Sequence, residues 1–407
     1  MNRTPIRRAL PVASLAAALA VALPGAGPAD AQDQEREVRI AGFGAQSGVL
    51  RPFGVNSEAA MRAAAEHINE SGGLTLGDGA TGRIVVDYFD DRCDSQEGIA
   101  TARRIASGDY VAAVGTTCSS VVEPVFGVLE TRAGDPEDSG IELPVFTDVA
   151  MKLGLASLSD WGFRNVPDEP DMYRDLFAWL KAQYPEAETV YGGVEQDFVH
   201  SRQTWYDIMK GAAEEAGFEV LGESQWGLED TDFTAQVGEM REAAPDIQVI
   251  SAHPFTTCGV MMEMARQDYA PEVLVGLTSS SSPELLETCG REATGLIIPT
   301  SFAPVNAEAS EAAELTVKHG GYPDLHSMAA WENLAMIARV IEEEGVMAQS
   351  DTVAEDRAMI RAGLAALQEA EGLLGTIERT PEGESRKPFV YVSATPEEWE
   401  VIHTPMN

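Results

Sequence analysis

Cys93 and Cys118 stand 25 residues apart, each just beyond a short apolar run: Arg83-Ile84-Val85-Val86-Asp87-Tyr88-Phe89 leads to the first, Tyr110-Val111-Ala112-Ala113-Val114-Gly115 to the second. If both runs are neighbouring parallel strands, the two thiols emerge at the same sheet edge, beside Ser119 at the start of the next helix. Open α/β sheets bind their ligands at that edge. The chain opens with Arg3, Arg7 and Arg8, an apolar stretch from Ala9 to Leu23, and Ala29-Asp30-Ala31, the pattern of a cleaved export signal. Maturation in an oxidising compartment then lets the pair close as a disulfide. A pinned loop beside a helix N-terminus suggests a preformed small-molecule site.

Residues 1–31 are therefore expected to leave as a signal peptide, with the mature chain starting near Gln32. Cysteine is absent from the cleavage site, which argues against a lipid anchor. The apolar stretch falls short of the ~20 residues a membrane span needs, and no later segment has 18 consecutive apolar residues. Charge narrows the partners further. With 28 basic against 66 acidic residues, net charge −38, nucleic acid and anionic membrane surfaces are disfavoured. The acids are spread along the chain, which fits solubility in a saline exterior better than capture of a cation.

Catalytic patterns are missing. The chain contains no H-E-x-x-H, G-x-S-x-G or Walker loop, and its six histidines show no ligand spacing. Gly42-Phe43-Gly44-Ala45-Gln46-Ser47-Gly48 has the wrong spacing for a dinucleotide loop and puts its serine one place late for a nucleophile elbow. No enzyme activity, cofactor or metal is expected. Cys258 and Cys289 complete an even count and leave a second disulfide open, although one opens a helix and the other follows the short Pro283–Thr288 helix.

Positioning such a site requires a repeated strand–helix pattern, and the chain has one. Strands are expected at Val38–Phe43, Ile84–Tyr88, Tyr110–Gly115, Leu143–Thr147, Thr189–Val194, Glu219–Gln225, Ile247–Ala252, Val273–Leu277, Gly295–Thr300 and Phe389–Val392. Between them lie helical stretches at Ser57–Asn69, Ser95–Ser107, Asp171–Gln183, Ser201–Ala216, Thr234–Ala244, Cys258–Gln267 and Ala329–Glu344. This order implies an α/β fold of parallel sheets flanked by helices. About 375 mature residues exceed one core, so two lobes are expected. Proline-rich breaks near Arg164–Pro170, Pro299–Pro304 and Thr380–Gly383 divide the chain. They put 36–165 and 301–379 in lobe 1, and 166–300 and 380–407 in lobe 2, joined by a three-strand hinge. Arg132–Gly140 reads as an acidic exposed loop without chemistry.

The element order, Gln46-Ser47-Gly48 after the first strand, the Asp90-Asp91-Arg92-Cys93-Asp94 segment and the Cys118-Ser119-Ser120 turn resemble the leucine/isoleucine/valine-binding family of periplasmic solute receptors. The resemblance spans essentially the whole mature chain. It implies a type I two-lobe periplasmic-binding-protein fold that closes on a small solute and delivers it to the permease and ATPase of an ABC importer, as a monomer in the periplasm. A sensing subunit of a chemoreceptor or two-component system is the alternative, and a secreted hydrolase is a lesser one.

By the same resemblance Ser119, with Ser120 beside it, binds a ligand carboxylate, an assignment that a helix N-terminus also favours physically. Backbone atoms of Val149 and Ala150 face the ligand, and Met151 replaces a usual hydroxyl. Phe53 stands where the family often stacks a tyrosine, and Phe198 sits similarly in the second lobe. Thr278 occupies the place of the acid that pairs with an amino acid's ammonium, with Asp148, Glu195 or Asp197 as substitutes. His253, Phe255 and His326 fall where further contacts arise. The implied ligand is a small carboxylate- or amide-bearing, partly apolar or aromatic solute, or an amino acid; a uracil-like ring or an amine stays open.

Overall fold

In β1 (Glu35–Gly44) the side chains of Val38, Ile40, Ala41 and Phe43 are all fully buried, so both faces of the strand are covered and it must run through the middle of a sheet. The computed structural model places it there, and describes residues 35–130, 140–148, 150–152, 154–380 and 384–405. The expected export signal, nearly all of the acidic loop and Val149 lie outside these residues. With β2 (Leu74–Thr75), β3 (Thr81–Asp90), β4 (Ala112–Gly115), β5 (Val145–Thr147) and β6 (Gly162–Arg164), β1 forms a six-stranded sheet of order β2-β3-β1-β4-β5-β6. All neighbours are parallel except β2 with β3.

One expectation is corrected here. The strands leading to Cys93 and Cys118 are not neighbours, because β1 lies between them, Ile40 facing Val86 on one side and Ala112 on the other. β1 takes the central place, with Val38, Ile40, Ala41 and Phe43 covered on both of its faces. All three strands run the same way, so both cysteines still emerge at the C-terminal edge.

The second sheet contains β7 (Thr189–Glu195), β8 (Glu219–Trp226), β9 (Ile247–Ser251), β10 (Val273–Gly276) and β11 (Leu296–Thr300). A small antiparallel sheet follows, made of β12 (Glu369–Gly372), β13 (Gly375–Arg379) and β14 (Ser385–Arg386). The chain then returns as β15 (Val390–Ala394) and β16 (Trp399–His403), which add antiparallel to β11 and complete the order β16-β15-β11-β10-β9-β7-β8. Each of the two large sheets has apolar clusters on both faces. Met328, Leu334, Ile337 and Ile341 of the helix Leu325–Glu344 pack into the first lobe's core with Ile40 and Val86, whereas Val390 and Val392 join Ile250 and Ile298 in the second. The molecule is thus a two-lobe α/β fold whose chain passes repeatedly between lobes.

Buried ionic contacts fasten these passages. The Arg164 guanidinium pairs with Glu384 and donates to the carbonyls of Ala150 (3.1 Å) and Met151 (2.7 Å). The Ser385 hydroxyl donates to the Arg164 carbonyl at 2.8 Å. Nearby, buried Glu332 pairs with Lys387, accepts from Asn165 Nδ2 at 3.1 Å and accepts from the Leu373 amide at 3.0 Å. These charges satisfy one another, which is the condition for keeping them out of water.

All ten expected strands are present. Not anticipated were β2, β6, the three-stranded sheet and β16, nor the helices Ala307–Lys318 and Val353–Ala366. The stretch expected as one helix over Ser201–Ala216 begins at Val199 and widens to a π-helix over Thr204–Met209.

Candidate ligand-binding site

Three aspartates shape the rim of the first lobe. Asp90 accepts from the Gln46 amide (2.9 Å), the Ser47 hydroxyl (2.7 Å) and the Arg92 amide (2.9 Å), tying the turn after β1 to the end of β3. Asp91 accepts from the Cys93 amide at 2.9 Å, and Asp94 caps the helix Ser95–Ala106 through the amides of Gln96 and Glu97. The Asp90–Asp94 run is therefore scaffolding that orients Cys93, which bonds Cys118 with a Cα separation of 5.6 Å. On the other side of that bond, Gly115 has φ +138°, and a Cβ there would lie 2.0 Å from the Phe43 carbonyl oxygen; only glycine lets β4 turn towards Cys118. Cys258 and Cys289 are also bonded, at a Cα separation of 5.4 Å, because the short Pro283–Cys289 helix folds back onto the helix that carries Cys258.

Cys118 is the N-cap of the helix Ser119–Phe126. Ser119 is thus the first helical residue rather than the cap, and its hydroxyl accepts from the Lys152 amide at 3.3 Å. First-turn amides have no acceptor within their own helix and carry its positive dipole end. They open on a cavity of about 270 Å³ between the lobes, at the small end of the roughly 300–1,000 Å³ typical of ligand pockets.

The structure brings most of the expected residues to this cavity: Phe53, Ser119, Ser120 and Met151 from the first lobe, Phe198 and His253 from the second, and His326 from the returning segment. Aromatic rings meet across the gap. Phe53 stands edge-on to His253 (6.1 Å between centroids), His326 (5.5 Å) and Phe255 (6.5 Å), and Phe198 lies 4.7 Å from His253. Phe255 is not itself in the wall, but stacks at 10° behind His253. Ala150 is buried with its carbonyl on Arg164, and Thr278 is held inward by Tyr173 and Glu169, so neither lines the cavity.

Leu50, Thr117, Asp197, Val199, His200 and Ser279 line the cavity without having been expected as contacts, although Asp197 was considered as a substitute acid. His200 lies two residues past Phe198, on the first turn of the Val199–Gln203 helix, and that proximity was the signal available.

Two buried acids, Glu195 and Glu169, bond to histidines of the wall and are not themselves among its lining residues. Glu195 accepts from His253 Nδ1 (2.6 Å), Thr256 (2.5 Å) and Ser201 (3.4 Å). Burial alone would raise its carboxyl, but attraction to His253 and the hydrogen bonds from His253 and Thr256 outweigh it and hold the pKa below the ordinary range. Glu169 is arranged alike, with His200 Nε2 at 2.9 Å, Thr204 at 3.0 Å and Thr278 as partners, and its pKa is lowered against burial by His200 and the two hydroxyls. Asp197 is exposed, accepts from the Leu228 amide at 2.7 Å, and is the one acid among the described lining residues. His326 is buried, and among the described residues no carboxylate bonds its ring nitrogens. Desolvation first, then the rings of His200 and His253 and the Lys387 ammonium, push its pKa well below that of a free histidine. The result is an aromatic slot with a helix N-terminus and imidazole faces, suited to a small anion with an apolar body.

The model of the family described as periplasmic binding protein matches residues 37–389. A leucine-, isoleucine-, valine-, threonine- and alanine-binding protein of Pseudomonas aeruginosa is 24% identical over 327 residues, covering 78% of this chain and 81% of that protein. Among solved structures, the branched-chain amino acid transporter substrate-binding protein LivJ of Streptococcus pneumoniae, in complex with isoleucine, superposes with a TM-score of 0.74 at 16% identity, over 90% of this chain and 99% of the other. A solute-binding protein of an ABC transporter from Rhodopseudomonas palustris, in complex with 3,4-dihydroxybenzoic acid, gives 0.73 at 16% identity, over 90% and 96%. At that identity the structural likeness establishes the fold.

Proposed function

The chain belongs to the periplasmic binding protein family, and from that premise we propose that it is an extracytoplasmic receptor whose lobes close on a small aromatic carboxylate and hand it to the permease and ATPase of an ABC importer. One observation carries the choice of ligand: Glu195 and Glu169 are consumed by histidines, while the cavity presents Phe53 and Phe198 beside the Ser119 helix start. A carboxylate gains from first-turn amides and the Ser119 hydroxyl, and a flat ring fills the aromatic slot. An ammonium meets no buried acid among the described lining residues.

We place the lobes at 36–165 with 301–386 and at 166–300 with 390–407, hinged where the chain passes between them; the last boundary falls later than the 379/380 expected from the sequence because Ser385–Arg386 pairs with β13. Closure requires that the solute bind the closed state more tightly than the open one. Phe53 from one lobe and Phe198 and His253 from the other supply that difference, since a solute in the cavity meets both sets only when the lobes are closed.

Asp197 favours a second reading, an amino acid whose ammonium meets this exposed acid. Calorimetric titration separates the two. Benzoate is expected to bind the mature protein while leucine and isoleucine do not, and Ser119→Ala should weaken benzoate by about 1–3 kcal/mol through loss of a charge-assisted hydrogen bond. Binding of leucine that Asp197→Asn abolishes, with silence from benzoate, would replace the first reading by the second.

A further inference from the structure

Two side chains in the cavity wall depart from a rule that their neighbours obey. Residues 278–282 are five consecutive hydroxyl side chains, and four of them are engaged. Thr278 donates to Glu169, Ser280 donates to the Ala252 carbonyl at 2.8 Å, Ser281 to the Thr278 carbonyl at 2.9 Å, and Ser282 accepts from the Glu284 amide at 3.3 Å. Ser279 is 2% exposed, and its Oγ has no hydrogen-bond partner among the described residues. The three histidines of the cavity divide in the same way. His200 and His253 each bind a glutamate, while His326 is 2% exposed and both its ring nitrogens are without a partner among the described residues.

Buried polar atoms are nearly always paired, because an unmade hydrogen bond leaves the cost of desolvation unanswered. Ser279 and His326, two of several such exceptions among the described residues, line one cavity, and the turn that carries Ser279 packs against the helix that carries His326. Burial among His200, His253 and Lys387 keeps His326 uncharged, so its ring offers one donor and one acceptor. A serine hydroxyl likewise donates and accepts. No lysine or arginine is among the described lining residues, and the nearby Lys387 is paired with Glu332, so a second carboxylate would lack a cation. The one lining acid, Asp197, is exposed and accepts from the Leu228 amide, and Asp324 is taken up by the amides of its own helix start. A hydroxyl group meets both partners, giving a hydrogen bond to one and taking one from the other.

We propose that Ser279 and His326 form a neutral hydrogen-bonding subsite which selects a solute carrying a hydroxyl group in addition to its carboxylate. This rests on the aromatic-carboxylate reading above and narrows it to hydroxylated aromatic acids.

The test is calorimetry of the mature protein with benzoate and with 2-, 3- and 4-hydroxybenzoate, repeated on Ser279→Ala and His326→Phe. At least one hydroxybenzoate should bind the unsubstituted protein roughly tenfold or more tightly than benzoate, as expected where a site is built to pair a hydroxyl. In each variant that ratio should fall to within about twofold. The ratio is the readout because general damage to the pocket weakens both ligands alike, and Ser279→Ala removes a single oxygen should His326→Phe fail to fold. Equal binding of benzoate and all three hydroxybenzoates overturns the subsite and leaves the aromatic-acid reading standing, as does a ratio that survives both substitutions. No binding by any of the four acids, with binding of leucine, overturns both.

Discussion

His326 sits in the capping box that opens its helix: Asp324 accepts from the His326 and Ser327 amides, and the Ser327 hydroxyl accepts from the Asp324 amide. Its backbone is thus fixed while its ring is left to the cavity. A pH dependence follows from that burial. Below a pH of about 6.5 the unfolded chain binds a proton at this ring that the folded protein refuses, so stability falls with falling pH, by about 1.4 kcal/mol per unit until the lowered folded pKa is reached. Neighbouring Asp324, whose carboxyl is raised by burial, contributes with the opposite sign in the acid range. Comparison of ligand-free protein with His326→Gln isolates the histidine: melting temperature should drop more steeply from pH 6.5 to 5 in the unsubstituted chain, and identical slopes would mean that His326 protonates freely when folded. Ser119, Phe53 and Phe198 were reached through the resemblance and His253 and His326 through their loop and turn positions, and all five line the cavity. Ser279 was not reached. A strand was expected through Leu277 and the resemblance put the ammonium-pairing position at Thr278, whereas β10 ends at Gly276 and a 3-10 turn over Thr278–Ser280 follows.

At the scale of elements, apolar β-branched runs were enough to find the central strands, since being covered on both faces leaves a continuous hydrophobic signature. Short pairings such as β2 and β14 carry two residues each and leave none. The π-helix over Thr204–Met209 was equally invisible: it accommodates the Trp205 indole against Gly192, where a Cβ would lie 2.5 Å from the ring, a long-range fit with no local period. The two disulfides are similar in reach, closing separations of 25 and 31 residues, so each should contribute roughly 3–4 kcal/mol in the chain-entropy treatment. Their positions differ. Cys93 and Cys118 line the cavity and precede Ser119, while Cys258 and Cys289 lie in the second lobe's apolar core. Replacing either pair by alanine should lower denaturation midpoints to a similar degree, yet only the Cys93/Cys118 replacement should also weaken the ligand, as read by calorimetry below the melting range. Equal losses of affinity would show that the first bond holds the fold and not the site.

For the molecule as a whole, two lobes were legible from length and from proline-marked breaks, but the way the passages are fastened was not. Arg164, Glu332, Glu384 and Lys387 are distant in sequence, and nothing in their spacing announces that they meet. The third passage shows why boundaries are harder than elements: Ser385–Arg386 still pairs with β13, so we place the crossing in the few residues before Val390, beyond the Thr380–Gly383 break that the sequence offered. Net charge is the remaining global property, and it bears on the ligand. A chain of net charge −38 surrounds itself with a negative potential, through which an anionic solute must diffuse to reach the Ser119 helix start. The opposition is long-ranged only at low salt, where the Debye length is about 30 Å at 0.01 M against about 8 Å at 0.15 M. The association rate constant for benzoate or a hydroxybenzoate, measured by stopped-flow tryptophan fluorescence, should therefore rise severalfold over that range, while dissociation from the enclosed cavity changes little. A zwitterionic amino acid would show a flat dependence and a cation a falling one. A falling rate with an aromatic acid would mean that local positive potential at the cleft mouth, from the helix start and the histidines, outweighs the charge of the whole.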